Sequence, residues 1–76
     1  MSQRQKLIEQ IKSNPKDVSF EELHKYLVMN GATWREAKGS HRYYSLNGQT
    51  LAVPRKNPIK AIYVNKAINM IEGEEN

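Results

Sequence analysis

The 76-residue chain contains no cysteine. That excludes a disulfide framework, a thiolate zinc site and a cysteine nucleophile. Long apolar runs are also missing: none approaches the ~20 residues a membrane-crossing helix needs, and no signal-peptide core follows Met1. A cytoplasmic location is the resulting expectation. There are only 4 glycines, and neither the dinucleotide-binding nor the phosphate-loop pattern is present. Histidine is limited to His24 and His41, and tryptophan to Trp34. Hydrophobic residues make up 38%. A chain of this length buries only about 60% of its unfolded surface, so one small domain, marginal but able to fold alone, is expected over 1–76.

Acidic residues are scarce in one segment. Between Arg35 and Lys66 there are seven basic side chains (Arg35, Lys38, Arg42, Arg55, Lys56, Lys60 and Lys66), and Glu36 is the one acid. That segment carries +6, while the remainder carries −2 from five basic and seven acidic residues. A basic half beside a slightly acidic half suits a polyanion-binding face.

The hydrophobic pattern orders the elements. Leu7, Ile8 and Ile11 form a narrow helical stripe over 1–14, closed by Asn14-Pro15 because the residue before proline is pushed out of the helical region. Ser19 and Glu22 have capping-box spacing, Val18 and Leu23 can form a hydrophobic staple, and Phe20, Leu23 and Leu27 face one side of a second helix. Asn30-Gly31 stops it. Strands are expected over 33–38, 42–46 and 50–53. Asn47-Gly48 forms a two-residue hairpin turn, and Pro54 ends the ladder. A last helix begins between Lys60 and Val64, carries Val64, Ala67, Ile68 and Ile71 on one face, and stops at Gly73. The implied fold is α+β: a two-layer sandwich with a three-stranded antiparallel sheet covered on one face by helices. Its expected core is Phe20, Leu23, Leu27, Leu51, Val53, Val64, Ile68 and Ile71.

Chemistry concentrates around His41. Metal-independent RNA cleavage uses the substrate's own 2′-hydroxyl as nucleophile. It needs an imidazole-like group to move a proton and cations to stabilise the charged phosphorane. Lys38, Gly39, Ser40, His41 and Arg42 contain those parts: cations, a glycine that lets backbone approach phosphate, a hydroxyl donor and a histidine. The bland alternative is a Gly39-Ser40 bend followed by an exposed strand histidine, and no second histidine lies nearby in sequence. Arg55, Lys56 and Lys60 are either phosphate contacts or a solvated loop. Adjacent Tyr43 and Tyr44 point to opposite sheet faces, one packing on helices and the other exposed or stacking on a base. His24 reads as a structural helix residue, and Trp34 as a core or edge-packing residue. Glu21, Glu22, Glu74 and Glu75 do not resemble a metal cluster, so no metal or small-molecule cofactor is expected.

The segment from Ser19 to Glu72 resembles the HicA-type toxins of bacterial toxin–antitoxin systems. The likeness rests on the helix ending at Asn30-Gly31, the Lys38-Gly39-Ser40-His41 element leading into an aromatic strand, the Leu51-Ala52-Val53-Pro54-Arg55 strand end, and the closing helix around Ala67, Ile68 and Ile71. Residues 1–18 form a helical extension outside the shortest family members, and 73–76 are a tail. The resemblance implies an α-β-β-β-α fold like a double-stranded RNA-binding domain. It also implies mRNA cleavage by an endoribonuclease, His41 as the catalytic histidine, and a HicB-type antitoxin that covers the active site. Many members carry a second histidine directly after the first, and some have the active one only there. In this chain Arg42 holds that position, and His41 is the only histidine of the element.

Two other readings compete: a non-catalytic RNA-binding module using the same basic sheet, and a protein-interaction domain whose basic face meets an acidic partner.

Overall fold

Ser19 starts a helix with a complete capping box. Its Oγ accepts the Glu22 N–H at 3.1 Å, and the Glu22 carboxylate accepts the Ser19 N–H at 2.9 Å, so the expected capping box is present. A distant residue adds a further cap, since Asn57 Oδ1 accepts the Phe20 N–H at 2.7 Å. The computed structural model describes residues 3–37 and 39–73. The positions expected at Met1, Ser2, Lys38 and 74–76 lie outside these.

The elements run α1 (Gln3–Ser13), α2 (Phe20–Met29), β1 (Thr33–Glu36), β2 (His41–Leu46), β3 (Gln49–Pro54) and α3 (Ala61–Glu72). The strands form an antiparallel sheet in the order β1-β2-β3. Asn47 and Gly48 carry φ of 53° and 77°, the two left-handed positions that a tight hairpin demands. The architecture is the expected α+β sandwich, with an added N-terminal helix. No helix among the described residues is long and apolar enough to cross a membrane.

The core sits between the sheet and the helices. Tyr44, Leu51 and Val53 project from the inner face of the sheet and are buried together with Phe20, Leu23, Tyr26 and Leu27 of α2 and Val64, Ala67 and Met70 of α3. Ile11 anchors α1 into this core and is fully buried, a contribution of roughly 1.5–3 kcal/mol for a side chain of that size. Lys12 adds an ion pair to Glu72 across the α1–α3 junction. The loop after β3 is tied down by Ile59, whose N–H donates to the Val18 carbonyl at 2.8 Å and whose side chain is buried.

Two expectations need correction. The first strand ends at Glu36, short of the expected bound, which itself lies outside the described residues; beyond Glu36, Ala37 keeps one bond to the His41 carbonyl, and Gly39 turns the chain at φ 81°. Ile68 and Ile71 are half-buried, because the innermost stripe of α3 runs through Val64, Ala67 and Met70 and leaves them at its margin. Of the two places expected for Trp34, it takes the edge-packing one: 44% of it is exposed. β1 is an edge strand, and the space over its inner face is filled by an arginine instead.

Candidate nucleic-acid interface

His41 opens β2 and is held from both sides through its backbone. Its carbonyl accepts the Ala37 N–H at 3.1 Å, while the Ser40 carbonyl accepts the Arg55 N–H at 2.7 Å. The short approach through Gly39 and Ser40 is thereby fastened to the continuations of both neighbouring strands. Gly39 needs its left-handed φ for the turn itself, because a Cβ built there meets no atom within 4 Å.

Strand alternation then separates the cluster that is contiguous in sequence. Successive side chains point to opposite faces, so His41, Tyr43 and Ser45 project from the outer face, and Arg42 and Tyr44 from the inner one. Burial follows this division. His41 and Ser45 are exposed and Tyr43 is half-buried, whereas Tyr44 has no exposure and the Arg42 side chain only 12%. Among the described residues none hydrogen-bonds the His41 imidazole. Across the pairing, Arg35 lies opposite Tyr43, with its guanidinium 5.1 Å from the ring centroid. The outer face thus presents an unobstructed imidazole, a tyrosine ring and a guanidinium.

Arg42 belongs to a different assembly. It bonds Glu36 Oε2, approaches His24 Nδ1 at 3.2 Å, and lies 4.0 Å from the Trp34 centroid and 5.1 Å from that of Phe20. Its Nε is buried without a hydrogen-bond partner, facing aromatic surface. Expected as a phosphate contact beside His41, Arg42 is instead directed to the helix side, because adjacent strand residues cannot share a face. Glu36 accounts for a second cation, Arg55, whose Nη1 is 3.4 Å from Oε1. The hydrogen bond from Arg42, assisted by the charges of Arg42 and Arg55, holds the Glu36 carboxyl below its ordinary range despite some desolvation. Lys56 and Lys60 are exposed in the loop after β3 and at the start of α3. Lys38 lies outside the described residues.

His24 also has a more definite place than an ordinary helix position. Its Nδ1 is 2.8 Å from the Tyr44 hydroxyl, and its ring meets Trp34 edge-on at 5.2 Å. Arg42 Nη1 and the Tyr44 hydroxyl thus converge on the same imidazole nitrogen. Burial, together with the Arg42 charge, lowers the His24 pKa from its ordinary value.

Arg35 and the Arg42–Trp34–His24 group were not assigned these places by sequence reasoning. Period-two alternation separates His41 from Arg42 once β2 is accepted. The partners of Arg35, Trp34 and Glu36 depend on the β1–β2 register, which local sequence does not specify. No family model, curated protein or solved structure matches the chain at a significant level.

Proposed function

We propose that the protein is an endoribonuclease that cleaves mRNA across the outer face of its sheet, with His41 moving the proton. The observation that carries this reading is the exposed His41 imidazole on a helix-free face that also bears Tyr43 and Arg35. An RNA strand lying there meets a ring on which a base can stack and a guanidinium that can contact phosphate. In the reaction, the ribose 2′-oxygen forms a bond to phosphorus as the bond to the 5′-oxygen breaks. His41 takes the 2′-hydroxyl proton or supplies the proton to the leaving oxygen, and water completes the other transfer. The products are a 2′,3′-cyclic phosphate and a 5′-hydroxyl. Arg35 and the exposed lysines Lys56 and Lys60 supply positive charge for the phosphorane. With the resemblance to HicA-type toxins, this reading makes a HicB-type antitoxin the expected partner and the cytoplasm the expected compartment.

A second reading has its own supporting observation. His24 lies on the other side of the sheet, bonded to Tyr44, so His41 has no histidine partner for paired acid–base work. A non-catalytic RNA-binding module would use the same outer face.

Incubation of purified protein with labelled mRNA, with and without chelator, decides between them. Cleavage that survives chelation, yields cyclic-phosphate ends and disappears in a folded His41→Ala variant is expected. Salt-sensitive binding without cleavage supports the second reading, and full cleavage by His41→Ala overturns the first.

A further inference from the structure

On the side of the molecule built by α1 and α2, away from the outer sheet face, lies an open groove of about 660 Å³. Leu7, Val28 and Met29 supply its apolar surface. Val28 is 39% exposed, while Leu7 and Met29 are half-buried against the core. Cations stand along both helices: Lys6 on α1 and Lys25 on α2, with Arg4 on α1 donating to the Met29 carbonyl at 3.0 Å. Lys6 and Lys25 are exposed and hold no ion pair among the described residues. The lining carboxylate, Glu22, is already engaged, with one oxygen accepting the Ser19 N–H and the other receiving Gln10 Nε2 at 3.3 Å.

We propose that this groove docks an acidic amphipathic helix from a protein partner. The occupant's apolar stripe would lie on Leu7, Val28 and Met29, and its carboxylates would meet Lys6 and Lys25. The charge pattern argues for acidic flanks, because the unpaired Lys6 and Lys25 border the apolar surface on either helix and the lining acid is satisfied internally. The apolar surface argues for protein over RNA. Leu7, Val28 and Met29 offer neither hydrogen bonds to base edges nor an aromatic platform for stacking, whereas they suit the i, i+3, i+4 anchors of a helix. The lining runs from Gln3 to Gln10 on α1 and from Glu22 to Met29 on α2, a length of about 10 Å that matches roughly two turns of such a ligand. Met29 adds an adaptable contact. The surface is separate from His41, so partner binding here and RNA cleavage there stand or fall independently.

The test is an amide NMR titration of the full chain with three probes: a synthetic amphipathic helical peptide with leucine on one face and glutamate on the other, the same peptide with lysine in place of glutamate, and a short single-stranded RNA. The glutamate peptide is expected to shift the signals of Leu7, Val28 and Met29. A Lys6→Glu/Lys25→Glu variant should weaken it by about tenfold or more at physiological salt and bind the lysine peptide better. Val28→Asp, on an exposed position, should abolish binding while keeping the dispersed spectrum of the folded chain. Absence of binding by the glutamate peptide, equal binding of both peptides, shifts confined to the outer sheet face, or RNA shifts centred on Leu7, Val28 and Met29 would each overturn the proposal.

Discussion

The Arg42 guanidinium lies 4.0 Å from the centroid of Trp34, the only tryptophan of the chain. It thereby fills the inner side of an edge strand with charge resting on aromatic surface. Phe20 stands 5.1 Å away, and Glu36 supplies the counter-charge. Lysine at position 42 retains the charge and loses the planar stack and the fork of donors. Arg42→Lys should cost about 1 kcal/mol of stability, read from urea denaturation. The fluorescence of Trp34 should change in the native baseline, because its nearest neighbour is altered. An unchanged baseline and midpoint would mean that the stack contributes nothing.

Acidification acts on the same group through His24. Its folded-state pKa lies below the ordinary 6.5, so the unfolded chain binds more protons once the pH drops to that value. Stability should therefore be at its full level above 6.5 and fall progressively as the pH descends toward the folded-state pKa. Protonation adds a positive charge to a ring that is partly buried and lies within 3.2 Å of the Arg42 guanidinium. Denaturation midpoints at pH 7.5 and 5.5 measure the effect, and a His24→Gln variant should show a smaller difference between them. Equal slopes in the two proteins would remove His24 as the cause.

On the outer face, Arg35 and Tyr43 should act in RNA binding. Tyr43→Ala removes a stacking platform and should weaken RNA by about 1–3 kcal/mol per base engaged. Arg35→Ala removes one phosphate-directed cation, so the salt dependence of binding should fall by about one unit of slope. Fluorescence anisotropy across a salt series measures both. RNA affinity unaltered in both variants would place the nucleic acid elsewhere.

Helix α2 should prove sensitive to a residue far away in sequence. Ser19→Ala deprives the Glu22 N–H of its acceptor, and Asn57→Ala does the same for the Phe20 N–H. Each should destabilise the protein by about 1 kcal/mol. The second should also accelerate amide exchange at Ile59, because the loop carrying Asn57 is fastened beside the start of α2 through the Ile59–Val18 bond. An exchange rate at Ile59 equal to that of the parent would separate the cap from the loop.

Much of this architecture was legible locally. The capping box at Ser19 and Glu22, the Asn47-Gly48 turn and the helix stop at Gly73 involve only neighbours within a few residues, and all three are present. So are the buried Phe20, Leu23, Leu27, Leu51, Val53 and Val64. The buried Tyr44 and half-buried Tyr43 follow from alternation alone, although which of them faces the helices depends on the register.

The site was less legible, because it is distributed across strands. Lys38 to Arg42 reads as one basic element, yet His41 and Arg42 serve opposite faces, and Arg35 reaches the outer face from another strand. Trp34 has the size and hydrophobicity of a core residue and remains 44% exposed because the chain ends its sheet with that strand. By itself, then, the sequence determined the order of elements, their caps and turns, and the location of most apolar contacts, since these depend on short-range periodicity. Tertiary structure alone decided which cations are free and which are paired, because that depends on strand register and on the long-range meeting of Glu36 with Arg42 and Arg55.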